Sequence, residues 1–190
     1  MKKLVVATSN PGKLREIQEY LDGLDWELQL KPEELEIEET GTTFIENACL
    51  KASQVAKALG EWAIADDSGL TVDGLNGAPG LYSARYGSSD PERIARVLKE
   101  LEGIENRQAK FVCAVAIASA DGAIVLKTEG ICQGEILVRP LGTRGFGYDP
   151  IFYVPSEGRT FAEMSPELKG QISHRGKAFE VLVPELKKIK

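Results

Sequence analysis

Two adjacent carboxylates, Asp66 and Asp67, follow the apolar run 62–65 and precede Ser68-Gly69. The apolar run predicts a buried strand, and the Ser-Gly pair predicts a turn at its end. Like charges this close raise one another's pKa, and a divalent cation or a proton used in chemistry would relieve the repulsion. An N-cap or an Asx turn explains the same residues without a ligand. The pair is therefore a candidate site that needs support from elsewhere in the chain.

Length and composition narrow the class of protein. A chain of 190 residues with 43% apolar residues predicts one domain, residues 1–190, with room for two lobes. A net charge of −6 leaves no surplus of Lys and Arg for a general nucleic-acid surface. The apolar start ends at polar Thr8, well short of a signal peptide, and no apolar stretch approaches the roughly 20 residues of a membrane span.

The cysteines indicate the compartment. Cys49, Cys113 and Cys132 are odd in number, widely spaced and set in apolar stretches, which is typical of reduced thiols. We therefore expect a soluble, cytoplasmic protein without nucleic-acid or membrane partners.

Hydrophobic periodicity predicts strands that alternate with helices, followed by a hairpin. Strands are expected at 4–7, 26–30, 62–65, 111–119, 123–127 and 151–154, and helices at 11–21, 44–59, after Asp90-Pro91 and from about 177. Thr43 and Glu46 predict a capping box, and Asp121-Gly122 predicts a hairpin turn. This order predicts the α/β class with a mixed sheet flanked by helices.

Two segments predict binding of phosphate and metal. Residues 8–13, Thr-Ser-Asn-Pro-Gly-Lys, join the first strand to its helix, so N–H groups, hydroxyls and one lysine converge where an anion binds well. An ordinary capped turn is the alternative for this loop. In the acidic run before the 44–59 helix, Glu38 or Glu39 could give Mg²⁺ a second carboxylate, although such runs are usually solvated.

Two further segments predict recognition of an aromatic base. Residues 145–150, Gly-Phe-Gly-Tyr-Asp-Pro, offer an aromatic face between glycines and an acceptor carboxylate, unless Phe146 is simply part of the core. Lys169 and residues 173–177 concentrate cations in an acidic protein. Together the segments predict a site for a base, a polyphosphate and Mg²⁺.

The same motifs resemble the inosine triphosphate pyrophosphatase family, which acts on non-canonical purine nucleoside triphosphates. They follow the family order: Thr8-Ser9-Asn10 with Lys13, residues 39–48 (ETGTTFIENA), 65–70 (ADDSGL), 77–80 (GAPG) with 83–86 (SARY), 145–150 and 173–176 (SHRG). The resemblance implies hydrolysis of ITP, dITP and XTP to the monophosphate and pyrophosphate with Mg²⁺. It also implies an elongated mixed sheet flanked by helices, two lobes with a central cleft, and a homodimer.

The resemblance assigns roles residue by residue. Asp67 would be the general base and a metal ligand, with Glu38 the second ligand because it matches the first acid of the family's Glu-Glu-Thr. Arg175 would lie by the base and sugar-phosphate, and because a 6-keto purine presents an acceptor, we expect Arg175 to donate to that group. Ser9 stands where many members have Gly. The substrate-binding residues would be Thr8, Ser9, Asn10, Pro11, Gly12, Lys13, Ser68, Phe146, Gly147, Tyr148, Asp149, Lys169, His174 and Arg175.

Two other functions fit the same residues. One is a pyrophosphatase of related fold that acts on pyrimidine or modified nucleotides. The other is a non-catalytic nucleotide sensor, which would bind ITP with Mg²⁺ without releasing pyrophosphate. The acid pair 66–67 argues against the sensor, and a substrate panel separates the two enzymes.

Overall fold

The computed structural model describes residues 2–189, which form a mixed α/β fold. The strands are β1 Lys2–Val6, β2 Trp26–Leu30, β3 Trp62–Val72, β4 Gln108–Ala118, β5 Ile124–Ile136, β6 Phe152–Val154 and β7 Arg159–Thr160. The helices are α1 Pro11–Leu21, α2 Phe44–Leu59, α3 Asp90–Glu100, α4 Pro166–Ile172 and α5 His174–Leu186. The sheet order is β2-β1-β3-β4-β5-β6-β7.

Strand pairing confirms the mixed sheet. β1 pairs in parallel with β2 and with β3, whereas β6 pairs antiparallel with β5 and with β7. The chain divides into two compact units. Unit 1 comprises Met1–Asp67, Cys113–Gly130 and Arg175–Lys190, and unit 2 comprises Ser68–Val112 and Ile131–His174.

Unit 1 buries both faces of its part of the sheet. Side chains alternate across a strand, so consecutive residues of β1 and β3 enter different cores. One core contains the strand residues Leu4, Val6, Ile64, Val115 and Ile117 with residues of α1 and α5. The other contains Val5, Ala63, Ala65, Ala114 and Ala116 with Ala48, Ala52 and Val55 of α2. Successive residues of β3 therefore pack alternately against α1 and α5 on one face of the sheet and against α2 on the other.

Unit 2 has an aromatic core. The ring centroid of Phe111 lies 4.6 Å from that of Phe152, and Phe152 lies 4.9 Å from Phe161. Ile94 and Val97 attach α3 to the same core. Rings at these separations are typical of favourable aromatic packing.

The predicted helix ends are largely confirmed. The Thr43 side chain accepts from the Glu46 N–H, and Gly60 ends α2 with a φ of 66°. The Glu46 carboxylate, however, accepts from the Thr42 N–H at 2.7 Å, one residue earlier than a standard capping box. The hairpin turn is also confirmed, with the Ser119 N–H on the Ala123 carbonyl at 2.9 Å.

The end of the chain differs from the prediction. α5 begins at His174, three residues before the expected start, and continues past Pro184. α4 was not predicted, because its seven residues are too few to show a helical period.

The turn expected after Asp67 was wrong. β3 continues to Val72, because Leu70 and Val72 are fully buried in the unit 2 core. The Leu70 N–H also donates to the Ser83 hydroxyl at 2.9 Å. Burial of these two residues outweighs the weak strand preference of Ser68-Gly69. Across residues 2–189, no helix combines the length and apolar character needed to cross a membrane.

Candidate active site

Asp66 and Asp67 lie on opposite faces of the sheet in unit 1. The turn expected there would have kept them together, but continuous strand pairing sends alternate side chains to opposite sides. Asp66 meets Lys13 of α1 and Arg175 of α5, whereas Asp67 meets Lys51 of α2. The two acids therefore occupy two different electrostatic environments, and the expectation of a single paired site is corrected.

Asp66 is held as a carboxylate. Its side chain is fully buried, with Oδ2 3.1 Å from Lys13 Nζ and 3.0 Å from an Arg175 guanidinium nitrogen. The other terminal nitrogen of Arg175 donates to Glu16. Burial raises the pKa of Asp66, but Lys13 and Arg175 outweigh burial and hold that pKa well below its usual range. Asp66 is thus suited to orient these two cations.

Asp67 is poised differently. Burial raises the pKa of Asp67, and Lys51, with Nζ 3.7 Å from Oδ1, opposes that rise only in part. Asp67 Oδ2 is buried and has no hydrogen-bond partner among residues 2–189. An unpaired buried acceptor costs about 1–3 kcal/mol, so this oxygen favours a ligand, and a raised pKa suits a general base.

Glu39 and Lys51 complete the α2 side of the site. Lys51 is 8% exposed, and its Nζ lies 3.0 Å from Glu39 Oε1. Burial lowers the pKa of Lys51, but Asp66, Asp67 and Glu39 together raise it above its usual value. The neighbouring Glu38 is exposed, and Gln54 bonds its backbone N–H and carbonyl. Glu39 therefore contacts the same lysine, Lys51, as Asp67 does. Glu38 is instead bound to Gln54 through its backbone, and its side chain is exposed.

The carboxylates of this site suit a divalent cation that is also bound by a substrate's phosphates. No group of three or more His, Cys, Asp or Glu in the part of the chain described here could hold a metal ion. Mg²⁺ needs only one or two carboxylates when a substrate's phosphates supply further oxygens. Asp67, whose buried Oδ2 has no hydrogen-bond partner among residues 2–189, and Glu39 meet that smaller requirement.

The loop 8–13 is a capped helix start. Asn10 Oδ1 accepts from the N–H groups of Gly12 and Lys13, at 2.9 and 3.1 Å, and the Asn10 N–H donates to Thr8. Two of the N–H groups expected to bind phosphate are therefore used by the cap. The Lys13 ammonium, bound to Asp66, is the cation that this segment presents.

A cavity of about 420 Å³ lies beside this loop in unit 1. Thr8, Ser9, Asn10, Pro11, Leu14, Leu30, Lys31 and Glu33 line it. Because Lys13, Asp66 and Asp67 are missing from its lining, the cavity is not where the chemistry of these acids would occur.

The aromatic loop belongs to unit 2. Phe146 is half-buried and Tyr148 is buried, so the ring expected to recognise a base is not a core residue. Asp149 Oδ2 accepts from the Phe146 N–H at 3.0 Å and from Lys169 Nζ at 2.7 Å. Lys169 Nζ also lies 4.7 Å from the Phe146 ring centroid. The loop is thus a preorganised aromatic surface with a buried ion pair behind it.

Gly145 is required by a close approach that the sequence did not reveal. A Cβ at this position would meet Asp149 Oδ2 at 2.0 Å, and its φ is 73°. His174 stacks on Phe111 with centroids 4.6 Å apart and an interplanar angle of 11°. Ser68 lies half-buried in β3, also within unit 2.

Three residues of the site were not predicted from the sequence: Glu16, which binds Arg175, Lys51, which lies beside Asp67, and Asn47, whose side-chain hydrogen bond to Asp67 lowers the pKa of that acid. Asn47 and Lys51 are buried on α2 at a spacing of four residues from each other, and Val55 lies four residues further on. Polar residues on a buried helical stripe were the available signal. Glu16 lies one turn after Lys13 on α1, and nothing in the sequence marked it.

Charged side chains meet where β1 and β3 are neighbours, while the chain leaves β1 toward β2 and leaves β3 toward β4. Such a switch point is the usual ligand site of an open α/β sheet, so fold and site define a ligand-binding α/β protein. The chain belongs to the Ham1 family, whose model matches residues 4–185. This match confirms the family resemblance seen in the motifs.

Individual relatives agree over nearly the whole length. The chain is 71% identical to a dITP/XTP pyrophosphatase of Nostoc sp. (strain PCC 7120), covering 97% of this chain and 94% of that relative. A dITP/XTP pyrophosphatase of Synechocystis sp. (strain PCC 6803) is 63% identical, with 96% and 94% covered. The structure of a HAM1 protein from Coxiella burnetii has a TM-score of 0.90 at 46% identity, covering 99% of this chain and 100% of that one.

Proposed function

We propose that this protein is a Mg²⁺-dependent pyrophosphatase that hydrolyses ITP, dITP and XTP to the monophosphate and pyrophosphate. The names of its relatives from Nostoc and Synechocystis support the substrate class. The observation that carries the chemistry is Asp67, a buried carboxyl with a raised pKa and an oxygen without a partner among the described residues. These properties suit a base that activates water.

The residues of unit 1 account for the hydrolytic step. Asp67 takes a proton from the attacking water, and the Lys51 ammonium beside it stabilises the ionised form of Asp67. Lys13, oriented by Asp66, attracts the outer phosphates of the leaving pyrophosphate. Bound Mg²⁺ would supply charge neutralisation on the phosphate oxygens. Positioning and electrostatics provide most of the rate in phosphoryl transfer.

The geometry supports Glu39 over Glu38 as the second carboxylate for Mg²⁺, because Glu39 shares Lys51 with Asp67. Glu38, the residue chosen from the family motif, is the matched control. Glu39→Gln should raise the Mg²⁺ concentration for half-maximal activity by about tenfold or more, the scale of a lost metal contact. Glu38→Gln should change it by less than about twofold. A larger rise in that Mg²⁺ concentration for Glu38→Gln than for Glu39→Gln would make Glu38 the second metal ligand.

The residues of unit 2 are proposed to recognise the purine. Phe146 offers the ring for stacking, with Lys169 of the Asp149–Lys169 pair 4.7 Å from its centroid. Lys169, His174 and Ser68 keep the substrate contacts that the resemblance implies. Arg175, a residue of unit 1, keeps its proposed contact with the 6-keto group, although its terminal nitrogens also bind Asp66 and Glu16.

One assay tests the function. Pure protein is incubated with Mg²⁺ and a panel of ITP, dITP, XTP, ATP, GTP and pyrimidine triphosphates, and pyrophosphate and orthophosphate are measured separately. We expect pyrophosphate from the first three nucleotides and no orthophosphate. Preference for a pyrimidine or modified nucleotide would indicate the related pyrophosphatase. Binding of ITP without pyrophosphate release would indicate a sensor.

The family resemblance also leads us to propose a cytoplasmic homodimer. Light scattering coupled to size-exclusion chromatography measures the dimer directly. A mass of one 20.7 kDa chain would exclude it under those conditions.

A further inference from the structure

Two carboxylates hold the 145–149 loop through consecutive N–H groups. The Phe146 N–H donates to Asp149 at 3.0 Å, and the Gly147 N–H donates to Asp90 Oδ2 at 2.8 Å. Asp149 is part of the loop itself, whereas Asp90 lies 57 residues earlier, at the first position of α3. One anchor is therefore internal, and the other ties the loop to a separate element of unit 2.

The second anchor is itself well fixed. Asp90 Oδ1 accepts from the Arg93 guanidinium at 2.7 Å, and Arg93 Nε donates to the Ala84 carbonyl at 3.0 Å. Ile94 and Val97 bury the adjoining turns of α3 in the unit 2 core. The Asp90 carboxylate is thus presented by a packed helix, which is a better support than a mobile loop.

The anchored peptide decides how the Phe146 ring is presented. The Asp90 contact is the shorter of two hydrogen bonds on the peptide that joins Phe146 to Gly147, since the Phe146 carbonyl also accepts from the Asp149 N–H at 3.3 Å. Gly147 has a φ of 62°. Because glycine lacks a Cβ, it has little steric preference of its own for one backbone conformation. Without Asp90, this peptide would keep only that longer contact, and the Phe146 N–H would keep its bond to the Asp149 carboxylate.

We propose that Asp90 is a positioning residue for base recognition, holding the Phe146 ring in the orientation that stacks on the purine. Asp90 contacts no substrate and acts through the Gly147 N–H. This inference rests on the proposed function, in which the 145–149 loop binds the purine base.

The kinetic test uses matched variants. Asp90→Ala should raise KM for ITP by about tenfold, the lower end of the scale for one lost hydrogen bond to a charged group, with kcat changed by less than about twofold. Asp90→Asn keeps an acceptor for the Gly147 N–H and should restore KM. Glu92→Ala is the control, because Glu92 lies in the same first turn of α3 and bonds Ser88. Inorganic tripolyphosphate, which has no base, should inhibit all variants with an unchanged inhibition constant.

A second measurement needs no substrate. Hydrogen exchange at the Gly147 amide should be faster in Asp90→Ala than in the wild type, and unchanged in Asp90→Asn and Glu92→Ala. If wild-type protein does not hydrolyse ITP, the proposed function fails, while this exchange result still tests the anchor. If Asp90→Ala does not fold, Asp90→Ser replaces it, because its hydroxyl ends one bond short of the carboxylate oxygen.

Three results would overturn the inference. The first is an unchanged KM and unchanged Gly147 exchange in Asp90→Ala. The second is an Asp90→Asn variant as impaired as Asp90→Ala, which would assign the effect to the ion pair with Arg93. The third is an equal loss of tripolyphosphate inhibition, which would indicate general damage to the fold.

Discussion

Asp67 in unit 1 and Asp149 in unit 2 are both buried aspartates beside a lysine, yet their surroundings differ. The Asp149 carboxylate accepts from Lys169 at 2.7 Å and from the Phe146 N–H at 3.0 Å. Asp67 is 3.7 Å from its lysine, and its Oδ2 has no partner among residues 2–189. A satisfied buried carboxylate stabilises a loop, whereas an unsatisfied one is available for a ligand or a proton. Asp149 therefore has a structural role in its loop, and Asp67 is the residue proposed to react.

Asp67→Asn gives the largest expected effect. It should lower kcat by about 10²-fold or more, because the amide cannot accept the proton of water. The melting temperature should stay the same or rise, because a neutral amide has a smaller desolvation penalty than the buried carboxylate. Steady-state kinetics measures the change in kcat, and thermal unfolding measures the melting temperature. Near wild-type turnover would remove Asp67 from the role of base.

Asp149→Ala tests the other half of the comparison. It leaves the buried Lys169 without its carboxylate, so the free energy of unfolding should fall by about 3 kcal/mol. The loss of kcat should be smaller than for Asp67→Asn, with the larger change in KM for ITP. Urea unfolding and kinetics on the same preparations measure these changes. A kcat loss equal to that of Asp67→Asn would erase the distinction between the two aspartates.

The sequence predicted most of the fold because its signals were local. Thr43 and Gly60 mark helix ends through their own backbone contacts, and the structure confirms both. The continuation of β3 could not be predicted in this way. It depends on burial of Leu70 and Val72 among residues distant in sequence, and Ser68-Gly69 locally favours a turn.

The same limit applies to the candidate site. Asp67 and Lys13 were found from motifs, but the opposite faces of Asp66 and Asp67 follow from a strand that was predicted to stop. Lys51 and Asp90 become visible only when α2 and α3 are placed in their units. The partner of each charge is set by tertiary packing, which local sequence does not encode.

Arg175→Ala tests whether Arg175 recognises the purine base. If Arg175 contacts the 6-keto group, kcat/KM should fall more for ITP than for ATP, by about tenfold, because only the keto oxygen loses a donor. Parallel assays with both nucleotides measure the ratio. Equal losses would make Arg175 solely a partner of Asp66 and Glu16 in unit 1.

The pH dependence of stability tests Asp66 and is the smallest expected effect. Lys13 and Arg175 hold the folded-state pKa of Asp66 below its unfolded value, so this carboxylate stabilises the protein above about pH 4. That contribution is lost as the pH falls further, toward the lowered folded-state pKa of Asp66. Urea unfolding from pH 7 downward should therefore show a flatter profile in Asp66→Asn than in the wild type. Identical slopes would mean that Asp66 is not linked to folding.

The site of attack tests the central claim, that the acids and Lys13 of unit 1 direct water to the α-phosphorus. ITP is hydrolysed in ¹⁸O-labelled water with Mg²⁺, and the products are analysed by mass spectrometry. The account predicts label in the monophosphate and none in pyrophosphate, because the α–β bridging oxygen departs with the leaving group. Label in pyrophosphate, or orthophosphate as the first product, would contradict the roles given to Asp67 and Lys13.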